Sequence, residues 1–133
     1  PAMPSPDHVI IFDEGAHEGI GIVMNDGSVV RYDKRCGDSG GFGGFGLGCT
    51  IYGTNDISRQ EYPSREIAFA EGDVLYPEVD IRQAENVYSW LENQFINQAD
   101  DYYNLINNSC QDLVDDGLEQ AGSDFPQGFG EIF

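Results

Sequence analysis

Turn-forming residues cut the first 34 residues into three short β-like runs, and this most limits the folds open to the chain. Residues 8–12, 17–24 and 28–34 are rich in apolar and β-branched side chains and read as strands. Between them stand Asp13-Glu14-Gly15 and Asn25-Asp26-Gly27, where Gly and Asn accept positive φ at little cost. The expected product is a three-stranded antiparallel meander. Short β-like runs at residues 50–52, 66–70 and 73–76 are expected to extend that sheet.

The hydrophobic period then changes from strand to helix. Ala84, Val87, Tyr88, Leu91 and Phe95 form an apolar stripe with helical spacing, predicting a helix over residues 81–99 behind an Asp80 cap. A second helix is predicted over residues 110–121. Ser109 would cap it, Leu113, Val114, Leu118 and Ala121 would form its buried face, and Gly122 would end it. Asp112, Asp115, Asp116 and Glu119 read as its solvated face. Strands first and helices last imply an α+β domain, an antiparallel sheet packed with two main C-terminal helices.

A chain of 133 residues buries roughly two-thirds of its unfolded surface and fits one core. The expectation is therefore a single domain over 8–133, with 1–7 a disordered remnant or linker. Pro1-Ala2-Met3-Pro4-Ser5-Pro6 has neither the basic nor the apolar region of a signal peptide, which suggests a domain cut from a longer chain or a tag remnant. Six basic residues against 24 acidic ones give a formal charge of −18. That charge repels phosphate backbones and anionic lipid surfaces, so nucleic acid is a poor partner. No apolar run approaches the roughly 20 residues needed to span a bilayer, and membrane insertion is not expected.

Residues 36–49, CGDSGGFGGFGLGC, hold too much glycine for the interior of a strand or helix. They read as a loop carrying Phe42 and Phe45, either a rim for substrate or a surface connection whose rings tuck onto the core. If any cysteine pair is oxidised it is Cys36 with Cys49. Three reduced thiols are equally open, because nothing in the sequence fixes the redox compartment. No CxxC or HxxxH spacing supports a metal site, and no cofactor is implied.

Cys110 is expected in the first turn of the second helix, where unpaired N–H groups and the helix dipole favour a thiolate. The same N–H groups, around Ser109 and Gln111, could hold an oxyanion. His17 opens a strand of small and apolar residues, a position from which it could act as base to a thiol on a packed helix. His8 is a second, weaker histidine candidate. Taken one by one, each has a plainer reading: the thiol as a small buried hydrophobe, the histidines as surface groups.

Two segments together suggest more. Ala16-His17-Glu18-Gly19-Ile20-Gly21-Ile22-Val23 resembles the histidine strand, a GHxGI-type pattern, of permuted NlpC/P60-like (papain-like) proteins. Tyr103-Asn104-Leu105-Ile106-Asn107-Asn108-Ser109-Cys110-Gln111-Asp112-Leu113-Val114 resembles their "YNLxxNNCxDFV" helix start. Histidine first and cysteine last is the order of the permuted branch, and the pattern is similar to papain-like domains at the C-termini of RHS-repeat and related polymorphic toxins. The resemblance covers the two ends of the chain, about a third of it. It departs in the extra Ser109 and in Ala16 where the pattern has glycine.

The resemblance implies a permuted papain-like fold and a cysteine hydrolase with Cys110 as nucleophile and His17 as base. Such families place a polar orienting residue on the next strand, which here offers Arg31, Tyr32 and Asp33. Asp33 is the choice, since a carboxylate best fixes the imidazole tautomer and stabilises imidazolium. The expected setting is a secreted effector or toxin delivered into a target bacterium. Its substrate would be a peptide, a peptidoglycan peptide or a cytosolic protein, and its partner a cognate immunity protein. An alternative of another class is an acidic, non-enzymatic immunity or inhibitor module that binds a basic partner.

Overall fold

The computed structural model describes residues 3–14, 17–36, 53–69, 73–98, 102–103 and 110–122. Its strands are β1 (Pro6–Asp13), β2 (Glu18–Met24), β3 (Val29–Cys36), β4 (Gly53–Tyr62), β5 (Asp73–Leu75) and β6 (Tyr102–Tyr103). Its helices are α1 (Arg65–Ala68), α2 (Ile81–Ile96) and α3 (Cys110–Gln120). The strands form one sheet in the order β5-β1-β2-β3-β4-β6, with antiparallel neighbours. The α+β class and the opening meander are as the sequence implies.

Each face of the sheet has its own apolar layer. Val9, Ile11, Ile20, Ile22, Val30 and Tyr32 meet α2 through Ala84, Val87 and Leu91, and α3 through Leu113, Val114 and Leu118. Ile10, Phe12, Val23 and Val29 point the other way, where Ala68 of α1 and Phe69 pack on them. β2 is buried along its whole length, as a central strand covered on both faces must be. The N–H of Asn25 bonds to the Ser5 carbonyl at 2.8 Å, and Pro6 and Asp7 belong to β1. The remnant expected over residues 1–7 thus includes two residues, Pro6 and Asp7, whose backbone continues the strand.

The ends of the elements follow local chemistry. Gly27 and Gly122 have φ of 90° and 71°, closing the second hairpin and α3 as expected of residues without a Cβ. Asp80 and Gln83 form a reciprocal capping box at the start of α2, with bonds of 2.8 and 2.7 Å. Asn97 caps α2, so the helix stops after Ile96, short of the expected residue 99. Gln83 Nε2 donates to the Ala121 carbonyl at 2.7 Å, tying the start of α2 to the end of α3.

In the middle of the chain one expectation is corrected and one strand is added. Residues 66–70, read as a strand, hold the helical turn Arg65–Ala68, whose first N–H groups are met by Ser64. The cap signal outweighs the β-like composition there. β4 leaves no hydrophobic pattern because Ile57 is the one buried apolar side chain among its described residues. It is held instead by pairing along the length of β3 and by Arg59, whose Nε donates to Glu92 of α2 at 2.7 Å. Glu92 also accepts from the buried Tyr32 hydroxyl at 2.6 Å. The expected run at residues 50–52 lies outside the described residues.

Candidate active site

His17 stands directly before β2. The Glu14 N–H donates to the His17 carbonyl at 2.9 Å and so ties the histidine's backbone to the end of β1. β2 pairs with β3 in a register that sets Gly19 opposite Asp33 and Gly21 opposite Arg31. Because Gly19 has no side chain, the Asp33 carboxylate can lean diagonally across it toward His17. Asp33 Oδ1 lies 2.7 Å from His17 Nε2. A Cβ on Gly19 would stand 2.4 Å from that oxygen.

Cys110 arrives from the other layer. The apolar face of α3 docks on the sheet through Leu113, Val114 and Leu118, which brings the first residue of the helix to the His17 end of β2. The thiol is reduced and buried, and it lies near enough to His17 to favour the protonated imidazole. The three groups therefore meet around the end of β2. Cys110 comes from the helical layer, and Asp33 from the face that carries Phe12 and Arg31.

The charges match this geometry. Burial alone would lower the His17 pKa, but the bond to Asp33 and then the Cys110 thiol outweigh it, against opposition from Arg35, and push it up to about 9. At neutral pH the imidazole is therefore protonated. Burial works to raise the Asp33 pKa, yet the bonds from His17 and Arg31 hold the carboxyl below the usual range. Asp33 stays ionised although its side chain is only 4% exposed.

Around this series lie further charged groups whose part in the site depends on the fold. Arg31 donates through Nε to Asp33 Oδ2 at 2.8 Å and through Nη2 to Oδ1 at 2.9 Å. Its guanidinium carbon sits 4.2 Å from the centre of the Phe12 ring, and Nη2 also reaches the Glu14 carboxylate. The available signal was Gly-x-Gly in β2 facing Arg-x-Asp in β3, two glycines opposite two long or charged side chains. Glu18 and Lys34 are also buried near this end of the sheet.

The other sequence candidates fall elsewhere. His8 pairs with Val23, at the far end of β2 and about 20 Å of strand from His17. It interacts with Asp7 at 2.8 Å and Arg65 at 3.1 Å, so it is no part of this site. Gln111 follows Cys110 in the α3 backbone, and Cys36 ends β3. Ser109, Phe42, Phe45 and Cys49 lie outside the described residues, and with them the expected cap, the aromatic loop and the Cys36–Cys49 pairing. Among the described residues no group of three His, Cys, Asp or Glu side chains could hold a metal ion, and no helix is long and apolar enough to cross a membrane. The chain matches no family model, no curated protein and no solved structure.

Proposed function

We propose that this protein is a cysteine–histidine amide hydrolase of permuted papain-like architecture, acting through a covalent thioester. One observation carries the reading: His17 bonds to Asp33 at 2.7 Å and is favoured in its protonated form by the Cys110 thiol, at the junction of a helix start and a central strand. Nε2 is engaged by Asp33, which leaves Nδ1 as the nitrogen to exchange a proton with the thiol. The Cys110 thiolate attacks the carbonyl carbon, and N–H groups of the first turn of α3 receive the resulting oxyanion. As the C–N bond breaks, His17 gives its proton to the leaving amine. Water then attacks the thioester, His17 accepts a proton from it, and the acid and the thiol are released. Asp33 remains ionised throughout and holds the ring in one tautomer.

Peptide bonds, including those of peptidoglycan, are the favoured substrates, and deamidation, proteolysis or acyl transfer on a cytosolic protein would use the same groups. The biological setting that fits best is a toxin or effector, secreted or delivered into a target bacterium and neutralised by an immunity protein. The formal charge of −18 favours a second reading, an acidic module that occupies a basic partner. Expression in bacteria, retained in the cytosol or exported to the periplasm, separates the two. The hydrolase harms cells in one compartment, and Cys110→Ala abolishes the harm. A binding module acts equally well with or without the thiol.

A further inference from the structure

An ionised carboxylate as deep as Asp33 needs partners, and its bond to His17 does not by itself fix the plane of the group. Arg31 supplies the rest. Two near-parallel N–H···O bonds, 2.8 Å to Oδ2 and 2.9 Å to Oδ1, define the plane and rotation of the carboxylate, as only a planar guanidinium can. They leave Oδ1 aimed at His17 Nε2, 2.7 Å away. The guanidinium is itself held by the Phe12 ring, 4.2 Å from its centre, and by the Glu14 carboxylate. The Glu14 N–H is also bonded to the His17 carbonyl. One side chain thus joins the strand holding the carboxylate to the residue whose backbone holds the histidine.

We propose that Arg31 is a positioning residue of the site, clamping Asp33 in the plane that meets His17 and, through Glu14, tying the histidine's backbone to the same clamp. This inference rests on the hydrolase reading above. Among the described residues, the charged groups found against the pair are Arg31 toward Asp33, Glu14 toward Arg31, and Cys110 and Arg35 toward His17. Losing Arg31 removes a positive charge and two donors from Asp33, so the carboxyl takes up a proton at higher pH. Arg31→Lys keeps the charge but cannot make the paired bonds.

The test uses the full chain with p-nitrophenyl acetate as a small acyl probe, and compares wild type, Arg31→Lys, Arg31→Met and Glu14→Gln, with rates corrected for the folded fraction. Both Arg31 variants are expected to lose about ten-fold or more in kcat, with KM changed by less than about two-fold. In Arg31→Met the acid limb of the pH profile should also move upward. Glu14→Gln alters a partly exposed group, so it reads the clamp even if an Arg31 variant fails to fold, and a loss of about two- to five-fold is expected. The NMR signal of the His17 ring N–H bonded to Asp33 should broaden in every variant, whether or not the probe is turned over. Wild-type rates in Arg31→Lys, or an unshifted acid limb with an unchanged ring signal in Arg31→Met, overturn the inference and leave the hydrolase reading intact. Wild-type turnover that survives loss of Cys110 or His17 instead removes the hydrolase reading.

Discussion

Replacing Gly19 by alanine adds one methyl group and should disable the site. In an ordinary strand the change is mildly favourable, by roughly 0.5–1 kcal/mol, because alanine loses less backbone entropy on folding. Here the new Cβ would lie 2.4 Å from Asp33 Oδ1, where ordinary contact begins at 3.4 Å, so the carboxylate must retreat by about 1 Å (3.4 − 2.4). A bond of 2.7 Å to His17 does not survive such a displacement. The His17 pKa of about 9 against an ordinary 6.5 is a difference of 2.5 (9 − 6.5). At about 1.4 kcal/mol per pKa unit, that is up to roughly 3 kcal/mol of stability, shared between Asp33 and Cys110.

Because the folded pKa lies above the unfolded one, this stability is fully present below pH 6.5 and is lost as pH rises through about 9. Urea unfolding should therefore show Gly19→Ala destabilised by roughly 2–4 kcal/mol at pH 6, and by distinctly less at pH 10. NMR titration should place the variant's His17 pKa well below 9. Gly21→Ala is the control, since its Cβ would meet Phe12 at 2.7 Å rather than a carboxylate. It should lose stability at both pH values and lower the His17 pKa less than Gly19→Ala does, because it reaches Asp33 only through Phe12 and Arg31. A Gly19→Ala protein with wild-type stability and an unchanged His17 pKa refutes the reasoning.

The remaining expectations concern different parts of the molecule. Cys110→Ala and His17→Ala should each abolish activity or toxicity in a folded protein, and the double variant should be scarcely worse than either, because the pair acts as a unit. Enzyme kinetics or growth assays on the three proteins check this. Glu92→Ala strips the acceptor from the buried Tyr32 hydroxyl and the ion partner from Arg59, and should cost roughly 1–3 kcal/mol in urea unfolding. It should leave the chemistry at Cys110 unaltered. In oxidised protein, non-reduced peptide mapping should find Cys36 linked to Cys49 and Cys110 still a thiol; Cys110 in a bridge in active protein contradicts both pairing and mechanism.

What could be read from the sequence was whatever leaves a local trace. The Asn25-Asp26-Gly27 turn, the Asp80 cap and the apolar faces of α2 and α3 are written within a few neighbouring residues, and the structure has them. β4 left no such trace, since its hold on the molecule is the backbone ladder to β3 and an ion pair to a helix some 30 residues away in sequence. The thiol, the imidazole and the carboxylate could be named as residue types in suggestive settings. Their meeting depends on the β2–β3 register, which a one-residue slip would destroy. The role of Arg31 was hidden for the same reason, because it exists only once Gly21 stands opposite it and Phe12 lies beneath it.

The central claim, that Cys110 is a nucleophile worked by His17, is tested most directly by trapping the acyl-enzyme. Wild type, His17→Ala and Cys110→Ala are mixed with p-nitrophenyl acetate, quenched in acid and mapped by mass spectrometry. The account predicts an acetyl group on the Cys110 peptide of wild type within the first turnover, slower acylation by about a hundred-fold or more in His17→Ala, and none at that peptide in Cys110→Ala. Equal acylation rates with and without His17, or a wild-type Cys110 that never acquires the group in folded protein, would contradict it.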